Sequence, residues 1–450
     1  MAEPSPDRDH GGIRPSHQAL GDARRGAGDG SGAGGAYRRG SRRTARAQPR
    51  GARAAPFRRS AGVSGPLAGL CVIDCSKLLP GLYASALLAD MGAEVTMVAG
   101  PAPDRIARMQ LPALMNRNKR SIVIDLKRQE GRGLLLRMLR GADVFLEGFR
   151  PGVTARLGLD YPTLAAERPR LVYCSLTGYG HGGPARDRVG HDVNYLARAG
   201  LLALSGPAGG PPVLPVLPMA DLGGGMQAVV AILGALWHRE RTGEGQFVDV
   251  GLFDATVSML TFHAGNLFAG HAPNRSELLL GGGYACYNVY ETKDGQYLAV
   301  GALEAQFWRA LLEVLDLPDR VEEQFAPPAR QRQLIGLLAE RFLTRTQAEW
   351  MGLFARVEAC VEPVLDLETA LADPHVQARG LVVETVAASG KVIRTLGPPW
   401  KFARTPAGLR WPGAPVGADG RVVLERLGLA PEEIDTLVGL GAVQLPGGGS

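Results

Sequence analysis

The sequence predicts an α/β fold: a Rossmann-like large domain with an open parallel sheet, followed by a smaller α+β domain. Three observations carry this. From Leu70 to Val98 a short apolar run, a helical pattern and a second apolar run follow one another, which is one β-α-β unit and the start of a parallel sheet. The same alternation recurs in "RSIVIDLK", "ADVFLEGF" and "RLVYCSLTGYG". Near Pro273 the texture changes, and "YACYNVYETKDGQYLAVGA" alternates about Asp294-Gly295, a hairpin signal.

Taken in order, Leu70 to Asp74 reads as a buried strand, Pro80 and Gly81 as a turn, Tyr83 to Met91 as a helix stopped by Gly92, and Ala93 to Val98 as the next strand. A helix is expected at about 128–140, between the next two strands. Leu222 to Arg241 reads as one long helix, apolar on most faces and therefore buried. "TGEGQFVDVGLFDATVSML" reads as turn, strand and helix. Beyond the hairpin, helices are expected at about 307–316, 331–343 and 347–357, the last opened by the capping box Thr346-x-x-Glu349. "APEEIDTLVGLG" reads as a final short helix. The expected organisation is a tail (1–65), a large α/β domain (66–270), a small α+β domain (271–395) and a return segment (396–450) that packs on the large domain.

Composition narrows the function classes. With 45% hydrophobic and 21% charged residues among 450, the chain has the make-up of a globular protein with a large core. The formal charge of +6 belongs to the tail: residues 1–65 hold thirteen arginines and five acids, a net of +8, leaving about −2 for the rest. The body therefore carries no electrostatic signature of nucleic-acid binding. The tail is Gly/Arg/Ala/Ser-rich and is expected to be disordered; it reads either as a targeting segment or as a non-functional extension. No apolar stretch of about 18 residues is free of charge, so no membrane span is expected. Five scattered cysteines without a C-x-x-C pair or a Cys/His cluster point to a reducing, cytoplasmic setting and to no metal site.

Several residues are candidates for chemistry. Asp221 precedes Leu222-Gly223-Gly224-Gly225 and the long helix. It reads as a helix N-cap or as a functional carboxylate. Three consecutive glycines suggest close approach to the backbone, and the N–H groups of Gly223 and Gly224 would hold a developing oxyanion. His191, in "GHD", reads as a solvated loop histidine or as an acid/base, and Asp192 as the cap of a helix near Asn194. Arg150, in "EGFRPGV", follows a strand at the carboxyl edge of the sheet, where ligands bind; it suits a phosphate or a surface ion pair. Lys119 and Arg120, in "NRNKRS", carry the same ambiguity. "GYGHGG" lacks the spacing and lysine of a P-loop, Pro80-Gly81 lacks G-x-G-x-x-G, and there is no G-x-S-x-G elbow.

The chain resembles the class III CoA-transferase family over about 66–440. The stretches that carry this are "GLCVIDCSKLLPGLYASALLADMGAEV", "NRNKRSIVIDLK", "ADVFLEGFRPGVTARLGLDY", "MADLGGGMQAVVAILGALWHRERTGEGQFVDVGLFDA" and "YNVYETKDGQYLAVGALEAQFW". The resemblance implies an acyl-CoA ligand, no metal or cofactor beyond the CoA moiety of the substrate, and a homodimer of interlocked chains. It places Asp221 at the position of the catalytic aspartate. In the transferases that residue is a nucleophile which forms an aspartyl-CoA thioester. In the racemase branch it is an acid/base. "GHDVNYLA" resembles the α-methylacyl-CoA racemase branch and assigns His191 as the second acid/base, with Glu304, in "GALEAQF", supporting it. Relatives carry a CoA-phosphate arginine just after the second strand; this chain has Gly100 there, and Arg105 stands nearby as a substitute. The expected activity is racemisation of 2-methylacyl-CoA thioesters. The alternatives are CoA transfer to a free carboxylic acid, and non-catalytic acyl-CoA binding.

Overall fold

A computed structural model describes residues 64–101, 115–207, 210–387, 390–413 and 415–446. These all fall within the compact unit Ala54–Ser450. The tail up to residue 63, and Arg105, lie outside the described residues.

Six strands, β1 (Cys71–Cys75), β2 (Glu94–Ala99), β3 (Lys119–Ile124), β4 (Val144–Glu147), β5 (Val172–Thr177) and β6 (Phe247–Gly251), lie parallel in the order β3-β2-β1-β4-β5-β6. Their central members are buried on both faces, as in a sheet covered by helices on each side. Strand order reverses between β1 and β4, so the crevice at their carboxyl ends is where such a sheet takes a ligand.

The smaller part is built on the antiparallel sheet β7 (Tyr287–Glu291), β8 (Tyr297–Gly301) and β9 (Val361–Pro363), with the hairpin turning at Asp294-Gly295. Its own core gathers Trp308, Leu311, Leu338, Phe342 and Trp350 beneath that sheet. The helix Gln347–Phe354 opens on the predicted capping box, Thr346 accepting from the Glu349 N–H and Glu349 from the Thr346 N–H. A two-stranded hairpin, β10 (Val382–Val386) and β11 (Val392–Leu396), follows. The chain then returns: β12 (Val443–Gln444) pairs antiparallel with β3, and Val423, Leu424 and Ile434 join the core beneath the large sheet.

Local differences from expectation have simple causes. Pro80 and Gly81 do not form a turn; they lie in the first turn of the helix Leu79–Asp90, where a proline N–H would go unused in any case. The long helix runs Met219–Thr242, starting three residues earlier than expected. By length and composition it is apolar enough to cross a membrane, yet half of that stretch is buried in the protein, as in a core helix. It is not apolar and buried all round: Val230 and Trp237 are 63% and 67% exposed.

Lys119 and Arg120 require a correction. Lys119 is 2% exposed, and its ammonium donates to Leu82 O (2.8 Å) and Ser85 Oγ (2.7 Å) beside the fully buried Asp74. Asp74 also accepts from the Ser76 N–H and from the Ser76 and Ser85 hydroxyls. Burial pulls the Lys119 ammonium down to about 8, and the Asp74 charge opposes that fall. Arg120 is half-buried over the Trp411 ring at 5.3 Å. Both are the first residues of β3, and β3 runs parallel to β2, so they sit toward the edge opposite the ligand crevice. Neither is placed to hold a substrate phosphate there.

Candidate active site

The carboxyl end of β5 leads into a loop that reaches the helix Asp192–Ala199, and His191 is the residue before that helix. The His191 N–H donates to Asn194 Oδ1 (2.9 Å), and its side chain is exposed. Tyr195 holds the loop from beneath, donating its hydroxyl to Gly190 O (2.7 Å). A side chain at Gly178 or Gly190 would collide with the Tyr195 ring, which explains glycine at both places.

Asp221 is not the cap of the long helix. Pro218 precedes that helix, and Asp221 is its third residue, inside the first turn. The cap comes from another element: Asp192 Oδ1 accepts from the Ala220 N–H (2.7 Å) and the Asp221 N–H (3.1 Å). Sequence reasoning assigned Asp192 to its own helix and missed this role, because nothing local links residues 28 and 29 positions apart. The result is that His191 and Asp221 are joined through one carboxylate. Among the described residues, none donates a hydrogen bond to the Asp221 carboxylate. Burial pushes that carboxyl up to about 6, the Asp192 charge adds to the rise, and His191 opposes it.

The glycine run serves packing. A Cβ at Gly225 would meet Pro80 O at 2.6 Å, one at Gly223 would meet Met259 Cε at 2.7 Å, and one at Gly224 would overlap Leu252 Cδ2. These glycines let the long helix press against the helices Leu79–Asp90 and Leu252–Met259. The oxyanion assignment for Gly223 and Gly224 is corrected accordingly. Both are buried, and from the fifth residue onward an α-helix commits its N–H groups to its own ladder. What the helix offers at Asp221 is the positive end of its dipole.

Arg150 is exposed just beyond β4, at the switch point. β1 and β4 pair in register, Cys75 with Glu147, and the Lys77 ammonium sits 5.2 Å from the centre of the Phe149 ring. Two cations thus flank the crevice. Sequence reasoning missed Lys77, although its position two residues beyond β1 is the same kind of signal that singled out Arg150. Glu304 lies elsewhere, exposed just before the helix Ala305–Val314; burial raises the Cys360 thiol, and the Glu304 charge adds to that rise. Among the described residues no hydrogen bond or ion pair joins it to His191. A groove of about 570 Å³ is lined by Gly281, Gly282, Tyr287, Val289, Gly301 and Cys360, among others; it contains none of His191, Asp221 or Arg150. Among the described residues no three metal-ligating side chains come together.

Residues 67–420 match the family model described as CoA-transferase family III. Human alpha-methylacyl-CoA racemase is 37% identical over 322 residues, 70% of this chain and 81% of that protein. Human succinyl-CoA:glutarate CoA-transferase is 31% identical over 354 residues, 75% of this chain and 81% of that protein. A crystal structure of a CAIB/BAIF family protein from Brucella suis superposes with a TM-score of 0.72 at 29% identity, covering 81% of this chain and 100% of the other. The chain belongs to CoA-transferase family III, and within it stands beside relatives named as a racemase and as CoA-transferases. It is an enzyme of one of those two types.

Proposed function

We propose that the enzyme racemises 2-methylacyl-CoA thioesters by two-base proton transfer. The observation that carries this reading is the pairing of Asp221 with His191. Asp221 is a half-buried carboxyl poised at about 6, without a hydrogen-bond donor among the described residues, and Asp192 ties it to the His191 loop. A base within about one unit of neutral pH both accepts and returns a proton efficiently. One of the pair removes the α-proton, the C–H electrons pass to the thioester oxygen as an enolate, and the other delivers a proton to the opposite face. The roles exchange with direction, so no net charge or redox change accumulates. The positive end of the long helix favours the enolate. Arg150 and Lys77 at the switch point suit the CoA phosphates. All of the chemistry is done by side chains, and the CoA belongs to the substrate.

A homodimer completes the reading. The exposed row Met226, Val230 and Trp237 on the long helix is an apolar face that a second copy would cover. Glu304, remote from His191 in its own chain's contacts, would meet the active site of that copy. The alternative activity, CoA transfer through an aspartyl-CoA thioester, is favoured by the same free Asp221 carboxylate and by the transferase relatives.

The test is to incubate the protein with one epimer of a 2-methylacyl-CoA in D₂O, without any carboxylic acid, and follow the α-hydrogen by NMR. Deuterium entry with loss of configuration is expected. No exchange, with CoA moving once a free acid is added, would replace the racemase reading with the transferase one.

A further inference from the structure

A polar cluster that this reaction does not use lies across the carboxyl ends of β4, β5 and β6. His181 Nε2 is 2.8 Å from Ser175 Oγ, and the His181 N–H donates to Asp249 Oδ2 (2.8 Å). The edge of the His181 ring packs on Phe247, centroids 5.3 Å apart. Ser175 is fully buried within β5, two residues before its end. Behind it, the buried Glu147 accepts from the Phe149 N–H (2.7 Å); burial raises its carboxyl, and the Ser175 and Tyr173 hydroxyls oppose that rise.

We propose that His181 is a positioning residue: its hold on Ser175 of β5 and Asp249 of β6 fixes the start of the loop that carries His191. The groups facing the ring are Asp249 from β6, Arg186 from its own loop and, behind Ser175, Glu147; Asp254 lies beside Asp249. Burial favours the neutral ring, with Asp249 opposing. The loop from His181 to His191 is then held at both ends: at its start by Ser175, Asp249 and Phe247, and at its end by the Tyr195 hydroxyl and by Asp192 on the long helix.

This inference rests on the reading of His191 as an acid/base, so its test has an arm independent of activity. His181→Ala removes the ring nitrogen that bonds Ser175. His181→Gln restores an N–H at similar reach, whereas His181→Asn is too short and replaces the alanine variant should that fail to fold. With melting temperature as the control, the alanine variant is expected to lose about tenfold or more in kcat, as small misplacements of a catalytic group do, with little change in KM, while the glutamine variant recovers most of it. In parallel, the rate at which diethylpyrocarbonate labels His191 is read by peptide mass spectrometry. It should change in the alanine variant and return toward the native rate in the glutamine one. A labelling rate unchanged in the alanine variant, or changed equally in both variants, overturns the proposal. If the native enzyme shows neither exchange nor CoA transfer, the functional reading fails, and the labelling arm alone judges the positioning role of His181.

Discussion

Two acid–base pairs in this protein look alike in outline and differ in almost every physical respect. Asp74 and Lys119 are fully buried under the helix Leu79–Asp90. Every polar end has a partner: Ser76 and Ser85 on the carboxylate, Leu82 O and Ser85 on the ammonium. His191 and Asp221 stand at a loop end and a helix start, partly open to solvent, and the Asp221 carboxylate receives no hydrogen bond among the described residues. The saturated pair can only hold the fold. The unsaturated pair is held from outside itself, by Asp192 and Tyr195, and keeps its reacting atoms free. Chemistry is left where the protein declines to satisfy a charge that it has taken care to position.

The sharpest way to break this contrast is Asp221→Asn. Loss of about 10²–10⁴ in kcat is expected, measured by α-proton exchange. The same change should raise the melting temperature at pH 7.5, and here the sign matters. Folding lifts the Asp221 carboxyl from 3.8 to about 6, so the folded state disfavours its charged form. The cost is full above pH 6 and fades as pH falls toward 4, so the gain from asparagine should shrink over that window. A melting temperature lowered at pH 7.5 would mean that the carboxylate has structural partners after all.

Lys119→Met is the converse experiment. It leaves Asp74 buried without its cation and is expected to destabilise by about 3–5 kcal/mol in chemical denaturation, with kcat per folded molecule unchanged. If stability held and KM for the thioester rose instead, Lys119 would be a ligand contact. A smaller effect is expected from Arg150→Ala. Loss of an exposed phosphate contact should raise KM for an acyl-CoA by about tenfold, the equivalent of ~1.4 kcal/mol, and leave kcat alone. Lys77→Ala should act in the same sense but more weakly, because a lysine contacts phosphate at a single point.

Much of the fold was legible because its signals are local. Continuous apolar runs mark the buried parallel strands, Asp294-Gly295 marks the hairpin, and Thr346 with Glu349 marks a helix start. The apolar pattern of the long helix was also legible, but not that one face of it stays exposed at Val230 and Trp237, since periodicity shows what is apolar and not what covers it. For the candidate site the motif stretches indicated His191 and Asp221. They could not indicate that the cap on the Asp221 helix is Asp192, or that Gly223 and Gly224 are spaces for Met259 and Leu252 rather than oxyanion donors. Those roles are set by contacts between distant segments. Lys119 and Arg120 were misread because a basic turn looks the same whether it faces a ligand or the interior; only the strand register shows that it opens β3 rather than closes it.

The measurement that tests the central claim most directly is exchange against inversion in His191→Asn, with each epimer of a 2-methylacyl-CoA supplied separately in D₂O. If His191 and Asp221 serve opposite faces, inversion is lost in both directions, while Asp221 still exchanges the α-hydrogen of one epimer and not of the other. Inversion that survives the substitution, or exchange that stays equal for both epimers, would contradict the two-base account.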